Sequence, residues 1–121
     1  MIAHIVLFNP KSTATSAELR PLAQMISRAC NEIHEVRRSV VGKRCTIDPG
    51  YVRNLGDKTY EYVAILEFDD ASGLGTYLKH PLHDELGKLF WELCESTVIV
   101  EADLTEARDA QTADFLLKDL S

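Results

Sequence analysis

Residues 2–8 alternate Ile2, His4, Val6 and Phe8 on one side with Ala3, Ile5 and Leu7 on the other, the two-residue period of a β-strand. Both sides are largely apolar, so this strand needs cover front and back. Residues 60–68 repeat the pattern more strongly, with Tyr60, Tyr62, Ala64, Leu66 and Phe68 on one face and Glu61, Val63, Ile65 and Glu67 on the other. Val36, Val40 and Val41 sit among basic residues in 36–47, which reads as a more exposed strand. A last strand is expected over 96–103, centred on Thr97-Val98-Ile99-Val100.

Between the strands the period changes. Thr15 followed by Glu18 has the spacing of a capping box, and Leu19, Leu22, Ile26, Ala29 and Ile33 then recur at helical intervals. Pro21 would cost a helix already running from Thr15 one hydrogen bond, so the expectation is a single turn followed by the main helix from about Pro21 to His34. Asp48-Pro49-Gly50 signals a turn, with a loop through Lys58. Asp69-Asp70-Ala71-Ser72 supplies N-capping residues for a helix that groups Leu74, Tyr77 and Leu78. Pro81 ends that helix and suits the first position of another, whose stripe is Leu82, Leu86, Leu89, Phe90 and Leu93.

The predicted order is βαββαβ, an α+β ferredoxin-like unit with two helical regions on one sheet face. Helices on one side leave the other bare, and the bare face is expected to carry His4, Val6, Tyr62 and Leu66. An apolar surface of that size calls for a second copy, making a homodimer whose two sheets enclose an α/β barrel. The domain is expected to span residues 1–103. Residues 104–121 form a tail in which Phe115, Leu116, Leu117 and Leu120 fit a short amphipathic helix.

Composition narrows the function classes. The chain has 121 residues and a formal charge of −6, which disfavours a phosphate-binding surface and so a nucleic-acid partner. Arg37, Arg38, Lys43 and Arg44 read as a solvated strand face. The sequence has neither a secretory pattern nor an apolar run long enough to span a bilayer, so the expectation is a cytoplasmic protein without membrane contact. Cys30, Cys45 and Cys94 are odd in number and widely spaced, indicating small buried hydrophobes and neither a disulfide framework nor a zinc ribbon.

Several segments together resemble the stress-responsive dimeric α/β-barrel (Dabb) family. They are His4-Ile5-Val6-Leu7-Phe8, the Gly42-Lys43 step, the strand from Tyr60 to Phe68 and, most specifically, Tyr77-Leu78-Lys79-His80-Pro81-Leu82-His83, similar to that family's Tyr-x-x-His-Pro-x-His segment. The resemblance covers roughly residues 1–103 and implies the same homodimeric barrel. It also implies candidate chemistry, because a plant polyketide cyclase in the family uses a histidine as general base and a tyrosine to orient substrate. These match His83 and Tyr77 here, and the first-strand histidine matches His4. Tyr62 stands where that cyclase has a further cavity histidine.

A neutral imidazole accepts a proton near physiological pH and a tyrosine hydroxyl donates to a developing enolate, so Tyr77 and His83 can serve a lyase or cyclase that needs no cofactor. His4, Val6, Tyr62 and Leu66 are the expected cavity residues, for a small apolar or aromatic molecule. A barrel that binds such a molecule without chemistry is the other main reading, and a cofactor-free monooxygenase rests on fold analogy alone. Structural roles stay open as well. His83 can fix the break at Pro81, His4 can be a satisfied barrel histidine, and His80, held extended before Pro81, can cap the helix that follows. His80 and His83 have the spacing of a metal pair but lack a third ligand, so no metal site is expected. His34 beside Glu35 reads as a helix end, and Phe90 and Trp91 as core or dimer-interface anchors.

Overall fold

A computed structural model describes residues 1–45 and 59–108. β1 (Ile2–Pro10) is followed by α1 (Ser16–Glu32), β2 (Arg38–Lys43), β3 (Tyr62–Phe68), α2 (Ala71–Lys79), α3 (Pro81–Leu93) and β4 (Cys94–Asp103). The four strands form one antiparallel sheet in the order β2-β3-β1-β4. This is the ferredoxin-like arrangement. The turn at Asp48-Pro49-Gly50 with the loop through Lys58, residues 46 and 47 of the expected second strand, and Phe115 to Leu120 of the tail all lie outside the described residues.

Local chemistry sets the element ends. Thr15 caps α1 through a reciprocal pair, its Oγ1 accepting from the Glu18 N–H at 3.2 Å while the Glu18 carboxylate accepts from the Thr15 N–H at 3.1 Å. The helix then runs without interruption through Pro21, so the expected break is absent. Pro21 and Ala17 are both exposed, which lets water take the Ala17 carbonyl that a residue-21 N–H would otherwise bind. Asp70 caps α2 by accepting from the Gly73 N–H at 2.9 Å. At the other end of β1, the Asn9 amide donates to Thr59 O at 2.7 Å and Ser96 Oγ at 3.0 Å, and its Oδ1 accepts from the Glu61 N–H at 2.8 Å. One side chain thereby ties the end of β1 to the segment leading into β3 and to β4.

The sheet's two faces differ from expectation in one respect. Register places Ile2, His4, Val6 and Phe8 beside Phe68, Leu66, Ala64 and Tyr62, all on one face. That is the face the helices cover: Val6, Phe8, Ala64, Leu66 and Phe68 are buried with Leu22 and Ala29 of α1, Tyr77 of α2 and Leu86 of α3. His4, Val6, Tyr62 and Leu66 therefore lie beneath the helices and not on the bare side. Alternation separates two faces but does not say which one the helices take when both are apolar.

By the same register the bare face carries Ile5 and Leu7 of β1, Val63 and Ile65 of β3, Val40 of β2 and Val98 and Val100 of β4. Val40, Val98 and Val100 are exposed in the single chain. The strip is aliphatic and largely β-branched, as suits packing of one sheet on another.

Candidate active site

The site starts from a helix break. Pro81 opens α3 and holds His80 in extended backbone (φ −70°, ψ 140°), ending α2 one residue before α3 begins. His80 then caps α3, its Nδ1 accepting from the Leu82 N–H at 3.0 Å. This break sets Tyr77 in the last turns of α2 against His83 in the first turn of α3. Their rings meet edge to face with centroids 4.9 Å apart. On its other side Tyr77 meets His4 of β1 at 5.6 Å, and Phe68 of β3 at 5.3 Å supports it.

His4, Tyr77 and His83 line one cleft of about 620 Å³ between α3 and β4. That volume suits a small organic molecule. Val6, Leu86, Gly87, Phe90, Trp91, Cys94 and Ile99 give it apolar walls, and Lys11 and Glu95 are its charged contributors. Lys11 is anchored by its backbone N–H, which donates to Leu93 O at 2.8 Å.

Burial controls the electrostatics. His4 is 3% exposed, and its Nδ1 lies 3.1 Å from Glu101 Oε1. Desolvation lowers its pKa below the usual imidazole value, opposed in part by the hydrogen bond and charge of Glu101. A neutral His4 donating Nδ1–H to Glu101 leaves Nε2 as an acceptor. His83 is also pushed down, first by burial and then by the charge of His4, against the opposing effects of Asp84 and a backbone hydrogen bond with Leu78. Tyr77 moves far above the ordinary phenol range, chiefly through burial, and stays protonated. Two neutral imidazoles thus flank a phenol that keeps its proton.

The expected cavity residues separate. Val6 shares the cleft with His4, Tyr77 and His83. Tyr62 instead stacks on Phe8 at 5.5 Å and lines a different apolar cavity of about 420 Å³, between α1 and β2. Phe8 meets Phe90 edge-on at 5.0 Å, placing an aromatic wall between that cavity and the cleft. Leu66 borders a void of about 20 Å³ that His4, Val6 and Tyr77 also line. Trp91 is 87% exposed in the single chain, which overturns the core reading of this residue. Cys30 and Cys94 are half-buried and Cys45 is exposed, so the expected burial of the cysteines is incomplete.

Sequence reasoning missed Glu101, Lys11 and Ile99. The usable signal for Glu101 was a lone carboxylate ending the apolar run Val98-Ile99-Val100, but its pairing with His4 depends on the β1–β4 register. Among the described residues no cluster of three or more His, Cys, Asp or Glu could hold a metal ion, and no helix is long and apolar enough to cross a membrane.

An antiparallel four-stranded sheet covered on one face by helices, with a histidine and tyrosine cleft beneath them, defines a ferredoxin-like α+β protein. The profile of the stress-responsive A/B barrel domain (Dabb) matches residues 2–104, and the chain belongs to that family. No curated protein matches the sequence. Among solved structures, hydroxynitrile lyase from Passiflora edulis superposes with a TM-score of 0.71 at 18% identity, over 87% of this chain and 94% of that one. A dimeric ferredoxin-like protein of unknown function from Bacteroides fragilis gives 0.60 at 25% identity, over 85% and 95%. An antibiotic biosynthesis monooxygenase gives 0.64 at 18% identity, over 88% and 100%. The lyase and the monooxygenase establish likeness of fold alone.

Proposed function

We propose that this Dabb protein is a homodimer whose protomers each bind a small apolar or aromatic molecule in the cleft between α3 and β4. There it moves a proton using its own side chains, as a lyase or cyclase does. The observation that carries this reading is the row His4, Tyr77, His83 on the wall of an apolar cleft. His83, less buried than His4, takes a proton from a carbon acid or a hydroxyl of the bound molecule. Tyr77 keeps its own proton and donates a hydrogen bond to the oxygen on which negative charge develops. His4, oriented by Glu101, is a positioning residue for Tyr77. Its burial and pairing fix the imidazole, and its neutrality avoids a second positive charge beside the protonated His83.

The homodimer follows from the bare aliphatic face, and dimeric ferredoxin-like relatives support it. Because the cleft opens on the helix side, each protomer has its own site, and the barrel between the sheets is where the copies join. The monooxygenase alternative gains only a common fold.

The test is deuterium exchange into the acidic C–H of aryl ketone probes. The wild-type protein is expected to accelerate exchange. His83→Ala should reduce it at least about a hundredfold while the dimer stays folded. If His83→Ala unfolds or dissociates, His83 is a structural residue and the catalytic reading fails.

A further inference from the structure

Lys11 and Glu95 come to the same end of the cleft. Lys11 follows β1 directly and its backbone is held twice: its N–H donates to Leu93 O at 2.8 Å, and its carbonyl accepts from the Ala14 N–H at 2.9 Å. Glu95 lies at the matching point of β4. Register pairs Asn9 with Ser96 and Pro10 with Cys94, so a bulge sets Glu95 between two paired residues. Both side chains line the cleft and are exposed, and among the described residues neither makes an ion pair.

The opposite end belongs to Tyr77 and His83. Between His83 and Leu93, α3 rises ~15 Å. Phe90 and Trp91 lie toward the charged end of that helix and line the cleft, and the exposed indole is open to stack on a bound ring. Along its length the cleft therefore presents a cation with an anion, then aromatic and aliphatic walls, then the row of Tyr77 and His83.

A lone cation would select an acid and a lone anion an amine. Side by side, each repels the ligand that the other attracts. A group of both signs satisfies both, and an α-amino acid carries its ammonium and carboxylate on one carbon. The apolar walls and Trp91 then select an aromatic side chain.

We propose that the cleft binds an aromatic α-amino acid, with its carboxylate on Lys11, its ammonium on Glu95 and its ring against Trp91 and Phe90, directed toward Tyr77 and His83. This names a ligand class for the cleft already described, and rests on that cleft being the binding site.

Isothermal titration calorimetry of the full chain tests it with L-phenylalanine, hydrocinnamate, phenethylamine and acetophenone as probes. Phenylalanine should bind at least about tenfold more tightly than hydrocinnamate or phenethylamine, each of which lacks one charge. Lys11→Gln and Glu95→Gln, both at exposed positions, should each weaken phenylalanine about tenfold and leave acetophenone unchanged. Hydrocinnamate or phenethylamine binding as tightly as phenylalanine overturns the proposal, as does phenylalanine binding that survives both substitutions. Acetophenone binding that Gly87→Leu abolishes, without tighter binding of phenylalanine, overturns the amino-acid proposal and leaves the cleft as a binding site. If no probe binds, or if binding persists in Gly87→Leu, the cleft is not the site and both readings fall.

Discussion

The ring of Tyr77 meets that of His83 edge-on across the break between α2 and α3, with centroids 4.9 Å apart. A six-residue spacing within one continuous helix would not bring these side chains together. The His80-Pro81 step, which stops one helix and caps the next, is what aligns them. The relationship ties a local backbone constraint to the electrostatics of the cleft, since both rings lie in the desolvated region that also holds His4.

That desolvation has a consequence for stability. His4 and His83 both have folded-state pKa values below 6.5, so between those values and 6.5 the unfolded chain binds more protons than the folded one. Their contribution is fully present above the unfolded value and is lost as pH falls through the folded values. The melting temperature should drop as pH falls below the unfolded imidazole value of about 6.5, and His83→Gln should flatten the dependence. Glu18, whose carboxyl is lowered by its capping bonds, acts at more acidic pH and does not enter this window.

The bare sheet face predicts an assembly. Sedimentation at micromolar concentration should show a dimer. Val100→Glu, which places a charge on the exposed aliphatic strip, should weaken it by at least about 2 kcal/mol, roughly thirtyfold. A wild-type protein that sediments as a monomer removes the barrel from this account.

Pro21 lies at the sixth position of α1, beyond the first-turn positions where a missing N–H costs nothing. Pro21→Ala should therefore raise unfolding free energy by about 1–3 kcal/mol, read from a urea transition with unchanged slope. A loss would show that the exposed ring contributes packing that outweighs the absent bond.

Much of this was legible in the chain. Period-two alternation located the strands, the Thr15 and Glu18 spacing marked the start of α1, and His80-Pro81 marked the helix break that forms the site. The covered face was not legible from alternation, because β1 and β3 are apolar on both sides. Side-chain shape held the missing cue: Phe8, Tyr62 and Phe68 share the helix side, where uneven helix surfaces accommodate rings, while Ile5, Val63, Ile65, Val98 and Val100 share the flatter side. Tyr62 was expected beside His4 from strand parity and from its match to a cavity position of the family's cyclase. Parity fixes the face but not the distance along it, and Phe8 and Phe90 stand between the two cavities.

Native mass spectrometry of the full chain purified from its own host, compared with Gly87→Leu, tests the central claim most directly. Gly87 lines the cleft, and a Cβ built there meets nothing within 4 Å, so the added side chain can occupy the ligand's space without disturbing α3. Wild-type protomers should each retain one small molecule and the variant none, with the variant at least as stable because glycine is a poor helix former. Bare wild-type protomers, or a bound molecule that persists in Gly87→Leu, would contradict the assignment of this cleft as the binding site.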